Sequence, residues 1–218
     1  MTAFIFDLDG TLVDSVYAHV LAWQAALKAA GLEIDGWRIH RRIGLSGALL
    51  LQALNRECGC NISSDEAHQI ERHHGEQFNQ FIGQCRPTRG AVELLAHLRE
   101  SQIPVGIATS GSRPGIDPLL RSLKLDDSTI VVGGKRVSHG KPEPDEFVAC
   151  QQKLGVRPEE CFVVGDAVWD LLAAGRARMF SIGLLCGGAG AETLFEAGAY
   201  RVFEDPAELN DSLYQLGL

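Results

Sequence analysis

The feature that most constrains the fold is a short apolar run at residues 3–6 that ends on two acidic residues. Ala-Phe-Ile-Phe is followed there by Asp7, Leu8, Asp9 and Gly10. An apolar run closed by a turn is typical of a strand buried on both faces of a parallel sheet. Because side chains alternate along a strand, Asp7 and Asp9 leave it on the same side. Two carboxylates therefore converge at a strand's carboxyl end, where open α/β sheets bind ligands.

The rest of the chain divides into two patterns. Residues 15–86 show helical periodicity and no convincing strand, whereas strands and helices alternate from residue 87 onward. Such alternation predicts a parallel sheet whose faces are covered by helices. The predicted fold class is therefore α/β: a doubly wound, Rossmann-like parallel-sheet core at 1–14 and 87–218, with an inserted all-helical cap subdomain at 15–86.

Composition limits the partners and the setting of the protein. The 218 residues carry a formal net charge of −8 without a Lys/Arg run, which argues against nucleic-acid binding. No apolar stretch approaches the ~18 residues of a membrane span, so no membrane partner is predicted. The six cysteines form no Cys-x-x-Cys pair, and we expect a reducing, cytoplasmic setting. Oligomeric state leaves no signal in the sequence.

Polar residues also follow the later predicted strands. Thr109, Ser110 and Gly111 come after an apolar run, and their hydroxyl groups and flexible backbone can direct donors at an anion. Lys141 stands between a glycine and a proline, in a stiff turn that can hold its charge in place. The chain thus offers an anion cradle and a fixed cation in addition to its first pair of acids.

A further apolar strand, Phe-Val-Val-Gly at residues 162–165, again ends on an acid. Asp166 follows it directly, and Asp170 comes four residues later. Carboxylates gathered at one edge of a sheet repel each other, so a divalent cation or a bound proton would relieve the site. Mg²⁺ suits such a site because it prefers about six oxygen ligands and retains several waters.

The motifs, taken in order, resemble those of the haloacid dehalogenase superfamily of hydrolases. Its first motif, Asp-x-Asp-x-Thr, matches Asp7, Asp9 and Thr11, and its third and fourth resemble Gly-Lys-Pro-x-Pro-Asp and Gly-Asp-x-x-x-Asp. The resemblance implies that Asp7 is a nucleophile and Asp9 a general acid and base. Asp9 indicates the phosphatase branch, because the dehalogenases have another residue at that position.

The same resemblance implies the remaining roles at the site. Phosphate would be bound by Ser110, with Thr109 as the alternative hydroxyl, by the backbone of Gly111 and by Lys141. Mg²⁺ would be the cofactor, bound by Asp7, the carbonyl of Asp9 and Asp166. Thr11 and Asp170 would not bind the cation themselves but would support the residues that do.

The helical insertion resembles the caps of phosphoglycolate phosphatases and β-phosphoglucomutases. In that family the cap covers the site and selects the substrate, which makes Arg41 and three further residues candidates: His19, Arg42 and Ser46. The mutases present a basic residue directly after this serine, and Gly47 stands there instead. The polar histidines His68, His73 and His74 are interpreted as a solvated helix face.

We therefore predict a Mg²⁺-dependent phosphatase of a small phosphorylated metabolite, such as phosphoglycolate or a sugar phosphate, acting through an aspartyl phosphate. A β-phosphoglucomutase-like phosphomutase is the alternative within enzymes. A phospho-accepting signalling domain is the alternative of another class, since such domains also gather acids, a hydroxyl and a lysine. The glycines at 187, 188 and 190 imitate a dinucleotide fingerprint only partly, and we interpret them as a loop before a peripheral helix.

Overall fold

The computed structural model describes residues 2–111, 113, 115–126, 128–133 and 139–218. The chain forms two compact units. An α/β unit comprises Met1–Asp14 and Arg86–Leu218, in its described part, and a helical unit comprises Ser15–Cys85. The second segment of the α/β unit begins one residue before its predicted start at residue 87.

The α/β unit is built on a six-stranded parallel sheet, which confirms the predicted fold class. The strands of the described chain are β1 (Ala3–Phe6), β2 (Val13–Asp14), β3 (Arg86–Pro87), β4 (Val105–Thr109), β5 (Ile130–Gly133), β6 (Cys161–Gly165), β7 (Phe180–Leu184) and β8 (Arg201–Phe203). The sheet has the order β5-β4-β1-β6-β7-β8, with every neighbouring pair parallel. The order reverses at β1, and this switch point is where doubly wound sheets form their ligand crevice.

Strand β1 lies at the centre of the sheet, which explains its apolar sequence. All four of its side chains are buried, and Ile5 pairs with Gly106 of β4 on one side and with Val163 of β6 on the other. Each of these three strands runs in the same direction, so their carboxyl ends meet at one edge. The loops after β1, β4 and β6 are therefore neighbours, as the sequence pattern predicts.

Six helices of the described chain belong to the α/β unit, and four precede them in the helical unit. In chain order they are α1 (Val16–Ala29), α2 (Gly36–His40), α3 (Gly47–Cys58), α4 (Ser64–Phe81), α5 (Ala91–Glu100), α6 (Asp117–Ser122), α7 (Asp145–Leu154), α8 (Val168–Arg176), α9 (Ala191–Glu196) and α10 (Pro206–Asp211). Helix α7 begins directly after Pro144, because proline is tolerated at the start of a helix and not in its interior.

The helical unit has its own apolar core between α1, α2, α3 and α4. Helix α4 begins with a capping box, in which the Ser63 hydroxyl accepts from the Glu66 backbone N–H and the Glu66 carboxylate accepts from that of Ser63. Three of these helices and strands were not predicted from the sequence: the five-residue helix α2 and the two-residue strands β2 and β3, which form an antiparallel pair. Each is too short to show a periodic pattern.

None of the helices in the described ranges is both long enough and apolar enough to cross a bilayer.

Candidate active site

The site is organised around a buried contact between Asp7 and Lys141. Asp7 follows β1, and its backbone N–H donates to the Val164 carbonyl at 2.9 Å, so the residue continues the strand pairing into the loop. The Lys141 ammonium donates to Asp7 Oδ1. Asp7 is 4% exposed and Lys141 only 1% exposed, so both charges are held out of water. The two charges therefore form a buried ion pair at the carboxyl end of the central strand.

Asp166 follows the neighbouring strand β6 and is equally buried. Its Oδ1 accepts a hydrogen bond of 2.7 Å from the Thr11 hydroxyl, which joins the loops after β1 and β6. The Thr11 carbonyl in turn accepts from the Thr88 hydroxyl at 2.7 Å. Thr11 therefore orients a carboxylate across the central strands, which matches the supporting role implied for it.

Asp170 lies in the first turn of α8 and is fully buried. Its Oδ1 is 2.8 Å from Lys141 Nζ, and its Oδ2 accepts from the Ala167 backbone N–H at 3.1 Å. Both oxygens are thus engaged within the protein. This geometry favours the role implied for Asp170, in which its carboxylate holds Lys141 and does not bind the metal directly.

The electrostatics of the cluster are dominated by burial. Burial raises the pKa of Asp7 well above its ordinary value; Lys141 acts against this rise, whereas three neighbouring aspartates add to it. Burial likewise raises the pKa of Asp166 to about 8, with Asp170 contributing. Burial alone would lower the pKa of Lys141, but the surrounding carboxylates outweigh it and raise that pKa well above the ordinary value. The lysine therefore stays charged, and the cluster contains more carboxyl groups than positively charged groups.

The loop after β4 distinguishes the two hydroxyl candidates. Thr109 is fully buried, and its hydroxyl oxygen accepts a hydrogen bond of 3.1 Å from the Gly111 backbone N–H. Ser110 is exposed at the end of the strand. The Thr109 hydroxyl thus shapes the loop, and the Ser110 hydroxyl is the one that solvent or a ligand can reach.

Asp9 and Gly10 form the turn that follows the Asp7 strand end. Asp9 is half-buried, and its charge is close enough to raise the pKa of Asp7. Gly10 has a φ of 86°, a backbone conformation that favours glycine, and its N–H donates to the Val13 carbonyl at 2.7 Å. The turn therefore keeps the second acid beside the first, as the spacing predicts.

The glycine-containing loop after β7 is present as predicted, but its contact with the acidic cluster was not predicted from the sequence. Gly187 is buried, and a Cβ atom built there would lie 1.8 Å from Asp166 Oδ2. The thiol of the preceding Cys186 donates to the Gly10 carbonyl at 3.2 Å. This loop therefore closes one side of the acidic cluster. Its place follows from β7 lying next to β6, which a sequence pattern alone does not show.

We expect Gly187→Ala to displace the Asp166 carboxylate, because the methyl group of alanine would lie only 1.8 Å from Asp166 Oδ2. The variant should lose at least about tenfold in kcat/KM and about 1–3 kcal/mol of stability. Steady-state kinetics and denaturant unfolding measure both. Gly175→Ala in α8 is the matched control, since nothing lies within 4 Å of its Cβ position and it should not reduce activity. Wild-type activity in Gly187→Ala would contradict the placement of Asp166.

The proposed substrate residues lie in the helical unit. Arg42 pairs with Glu57, which also binds Arg38, and Arg42 Nη1 donates to the Arg38 carbonyl at 2.6 Å. Ser46 caps the start of α3 without a hydrogen bond from its side chain. The structure thus places Arg42 in an ion-pair network inside this unit.

His19 belongs to an aromatic stack between α1 and α4. Its ring stacks on Phe78 at 3.9 Å between centroids, and its Nδ1 lies 3.1 Å from His74 Nε2. The His74 ring stacks on Trp23 at 4.0 Å. The prediction of a solvated face was therefore wrong for His74, whose ring helps to join the two longest helices of the unit.

The site consists of a strand-end aspartate beside a buried lysine and two further aspartates. This arrangement is typical of α/β enzymes whose acidic active site lies at the carboxyl edge of a parallel sheet. The model of the haloacid dehalogenase-like hydrolases matches residues 1–178. The chain belongs to this family. The enzyme class expected from the sequence, a phosphoric monoester hydrolase, is confirmed by family and phosphatase relatives together.

Individual relatives cover most of the chain. It is 35% identical to hexitol phosphatase A of Escherichia coli K12 over 178 residues, which is 79% of each protein. It is 30% identical to β-phosphoglucomutase of Bacillus subtilis 168 over 189 residues, 84% of this chain and 83% of that protein. The structure of a hydrolase from Pseudomonas syringae superimposes with a TM-score of 0.95 at 44% identity over 99% of both chains.

The donor set fits a hard divalent cation. Oxygen atoms of Asp7, Asp166 and Asp170 all lie within 4.8 Å of one another. Carboxylate oxygens are the ligands that Mg²⁺ prefers, and the excess of buried acid over the one lysine calls for added positive charge. Because Asp170 is engaged by Lys141 and Ala167, the carboxylates of Asp7 and Asp166 are the better ligands.

Proposed function

We propose that the protein is a Mg²⁺-dependent phosphatase that hydrolyses a small phosphorylated sugar, polyol or related metabolite through a phosphoryl group on Asp7. The observation that carries this proposal is the buried contact between Asp7 and Lys141 at the edge of β1, with Asp166 and Asp170 beside it. A nucleophilic carboxylate, a fixed cation and a pair of further acids are what phosphoryl transfer requires.

In the first half-reaction an Asp7 carboxylate oxygen bonds to phosphorus and the bond to the leaving oxygen breaks. Asp9 gives its proton to that oxygen, so a neutral alcohol departs. In the second half-reaction a water oxygen bonds to phosphorus while Asp9 takes a proton from it. The bond between phosphorus and Asp7 then breaks, which restores the carboxylate and releases inorganic phosphate. Lys141 and the Ser110 hydroxyl would hold the phosphoryl oxygens throughout.

Bound Mg²⁺ would offset the charge of the phosphoryl oxygens and of the acids around them. Asp7 and Asp166, with the Asp9 carbonyl, are the groups that would hold it. Lys141 cannot replace the cation, because its ammonium is already shared by Asp7 and Asp170.

Mg²⁺ binding should depend on pH because burial raises the pKa of Asp166 to about 8, which favours the protonated carboxyl at neutral pH. The cation binds the ionised carboxylate, so its affinity should rise from about pH 6 to about pH 8 with release of about one proton near pH 7. Titration calorimetry in buffers of different ionisation enthalpy measures the proton count. Equal affinity across this range, with no proton released, would contradict the assignment of Asp166.

The names of the relatives support the proposed substrate class. Hexitol phosphatase A acts, by its name, on phosphorylated hexitols, which supports a sugar- or polyol-phosphate substrate here. A panel of hexitol phosphates, hexose phosphates and phosphoglycolate, assayed for phosphate release with Mg²⁺, tests this. We expect the highest kcat/KM on a hexitol or hexose phosphate. No release from any member, or from a generic aryl phosphate, would contradict the phosphatase.

A phosphomutase is the second candidate, because β-phosphoglucomutase is among the relatives. The structure favours the phosphatase. Gly47 stands where the mutases present a basic residue, so this chain lacks that cation, and the nearest side chain to a Cβ atom built there is the acidic Glu71, with Oε1 at 3.0 Å. Isomerisation of a sugar phosphate that is stimulated by a sugar bisphosphate would identify the mutase instead.

A phospho-accepting signalling domain is the candidate of another class. Such a domain retains its aspartyl phosphate without turnover. Asp9 beside Asp7 supplies a proton carrier that argues for turnover. An acyl phosphate that persists for minutes without release of phosphate would favour the signalling domain.

A further inference from the structure

Glu146 is a buried acid to which the proposed reaction gives no role. It is the second residue of α7, and its side chain is 2% exposed. Its Oε2 atom is buried and has no hydrogen-bond partner in the part of the chain that the structure describes. Such an atom costs stability, so a buried carboxylate of this kind calls for an explanation other than packing.

The neighbour of Glu146 is the catalytic lysine. An ammonium group has three N–H donors. In Lys141 one donates to Asp7 Oδ1 and the Asp170 oxygen lies at 2.8 Å, while Glu146 Oε2 is a third carboxylate oxygen, 4.0 Å from the nitrogen. The ammonium is therefore surrounded by three acids, of which Glu146 alone stands just beyond hydrogen-bond distance.

The reaction changes this balance at one of the three acids. When Asp7 carries the phosphoryl group, its charged oxygen is bonded to phosphorus and no longer holds the ammonium as a carboxylate does. A movement of about 1 Å would bring Lys141 Nζ within hydrogen-bond distance of Glu146 Oε2, and a flexible four-carbon side chain can make it. Asp170 stays in place because the Ala167 N–H holds its other oxygen.

We propose that Glu146 is a positioning residue of the second half-reaction: its carboxylate receives the Lys141 ammonium while Asp7 is phosphorylated and keeps it beside the phosphoryl group. The inference rests on the proposed function. Glu146 itself neither forms nor breaks a bond. Water attacks phosphorus, Asp9 takes the proton, and the electron pair of the broken bond returns to Asp7, which recovers the ammonium.

The charges around Lys141 agree with this role. Glu146 is one of three acids that raise the pKa of the lysine, although burial acts in the opposite direction. Burial raises the pKa of Glu146 itself, so the folded protein would be no less stable with a neutral group at this position. A buried acid that lowers stability in this way is typical of functional sites.

Glu146→Gln tests the proposal, because the amide keeps the shape of the side chain but removes its charge. Quench-flow kinetics with a substrate that the wild type hydrolyses gives the rate constants for phosphorylation and dephosphorylation of Asp7 separately. We expect dephosphorylation to slow about tenfold, phosphorylation to change less than about twofold, and phosphorylated enzyme to accumulate at steady state. Glu146→Leu, which offers no acceptor, should slow dephosphorylation further.

Glu143→Gln is the matched control, since Glu143 lies in the same segment but is exposed and pairs with Arg176 at 2.7 Å. It should leave both rate constants unchanged. The proposal is overturned if Glu146→Gln matches the wild type in both steps, or if both steps fall together with the melting temperature. If the wild type turns over without forming any phosphorylated enzyme, the proposed function fails as well. That result is seen in the wild type alone, so it differs from a failure that concerns only the role of Glu146.

Discussion

Asp7→Asn is expected to abolish turnover, with a loss in kcat on the order of 10⁴-fold or more. An amide oxygen cannot form the acyl phosphate, and Asp9, the other carboxylate at this strand end, is assigned to proton transfer in the proposed mechanism. The fold should tolerate the change. The pKa of Asp7 is raised by burial, so the folded protein is destabilised by its ionisation and that penalty grows as pH rises above the ordinary aspartate pKa. A neutral side chain removes the penalty.

The stability of Asp7→Asn should therefore equal or exceed that of the wild type at neutral pH, as denaturant unfolding would show. Asp14→Asn is the matched control, because Asp14 lies on β2 in the same loop region and is exposed. It should retain wild-type kinetics. Substantial hydrolysis by Asp7→Asn, in a preparation free of deamidation, would rule out the covalent mechanism.

Lys141→Met is expected to cost both activity and stability. Catalysis should fall at least about 10³-fold, because a preorganised charge is lost from the phosphoryl site. The variant also leaves buried acids without their cation, which costs about 3–5 kcal/mol when one partner of a buried ion pair is removed. The loss of stability should be larger near pH 8 than near pH 5, since acids of raised pKa take up protons as pH falls.

Denaturant unfolding of Lys141→Met at the two pH values measures this dependence. Lys153→Met on α7 is the control, since Lys153 is exposed and its loss should change stability by less than about 0.5 kcal/mol. Equal stability of Lys141→Met and the wild type near pH 8 would show that the lysine is not the counter-charge of the cluster.

The strand-end residues could be placed from the sequence because their signal is local. An apolar run followed by Asp7 or Asp166 predicts a buried strand and its polar end, and the parallel sheet brings such ends together. The structure brings both aspartates to Lys141 and Asp170, and the catalytic and binding roles of all four stay predictions. The sequence could not show which hydroxyl group, that of Thr109 or that of Ser110, faces the phosphate, because the two residues differ in burial and not in sequence context.

Gly187 and Glu146 could not be found from the sequence for different reasons. Gly187 reaches Asp166 only because β7 is the next strand after β6 in the sheet, and strand order is a tertiary property. Glu146 stands in the first turn of a helix, where acids are common at exposed positions because they stabilise the helix dipole. Only its burial against Lys141 distinguishes it from such an acid.

The most direct measurement is to quench the enzyme with acid during turnover of a hydrolysed substrate and to map the phosphorylated peptide by mass spectrometry. The covalent mechanism predicts one phosphoryl group on the peptide that carries Asp7, and this group should be lost on treatment with hydroxylamine, as from an acyl phosphate. A phosphoryl group on any other residue, or turnover by water attack with no phosphorylated enzyme at any time point, would contradict it.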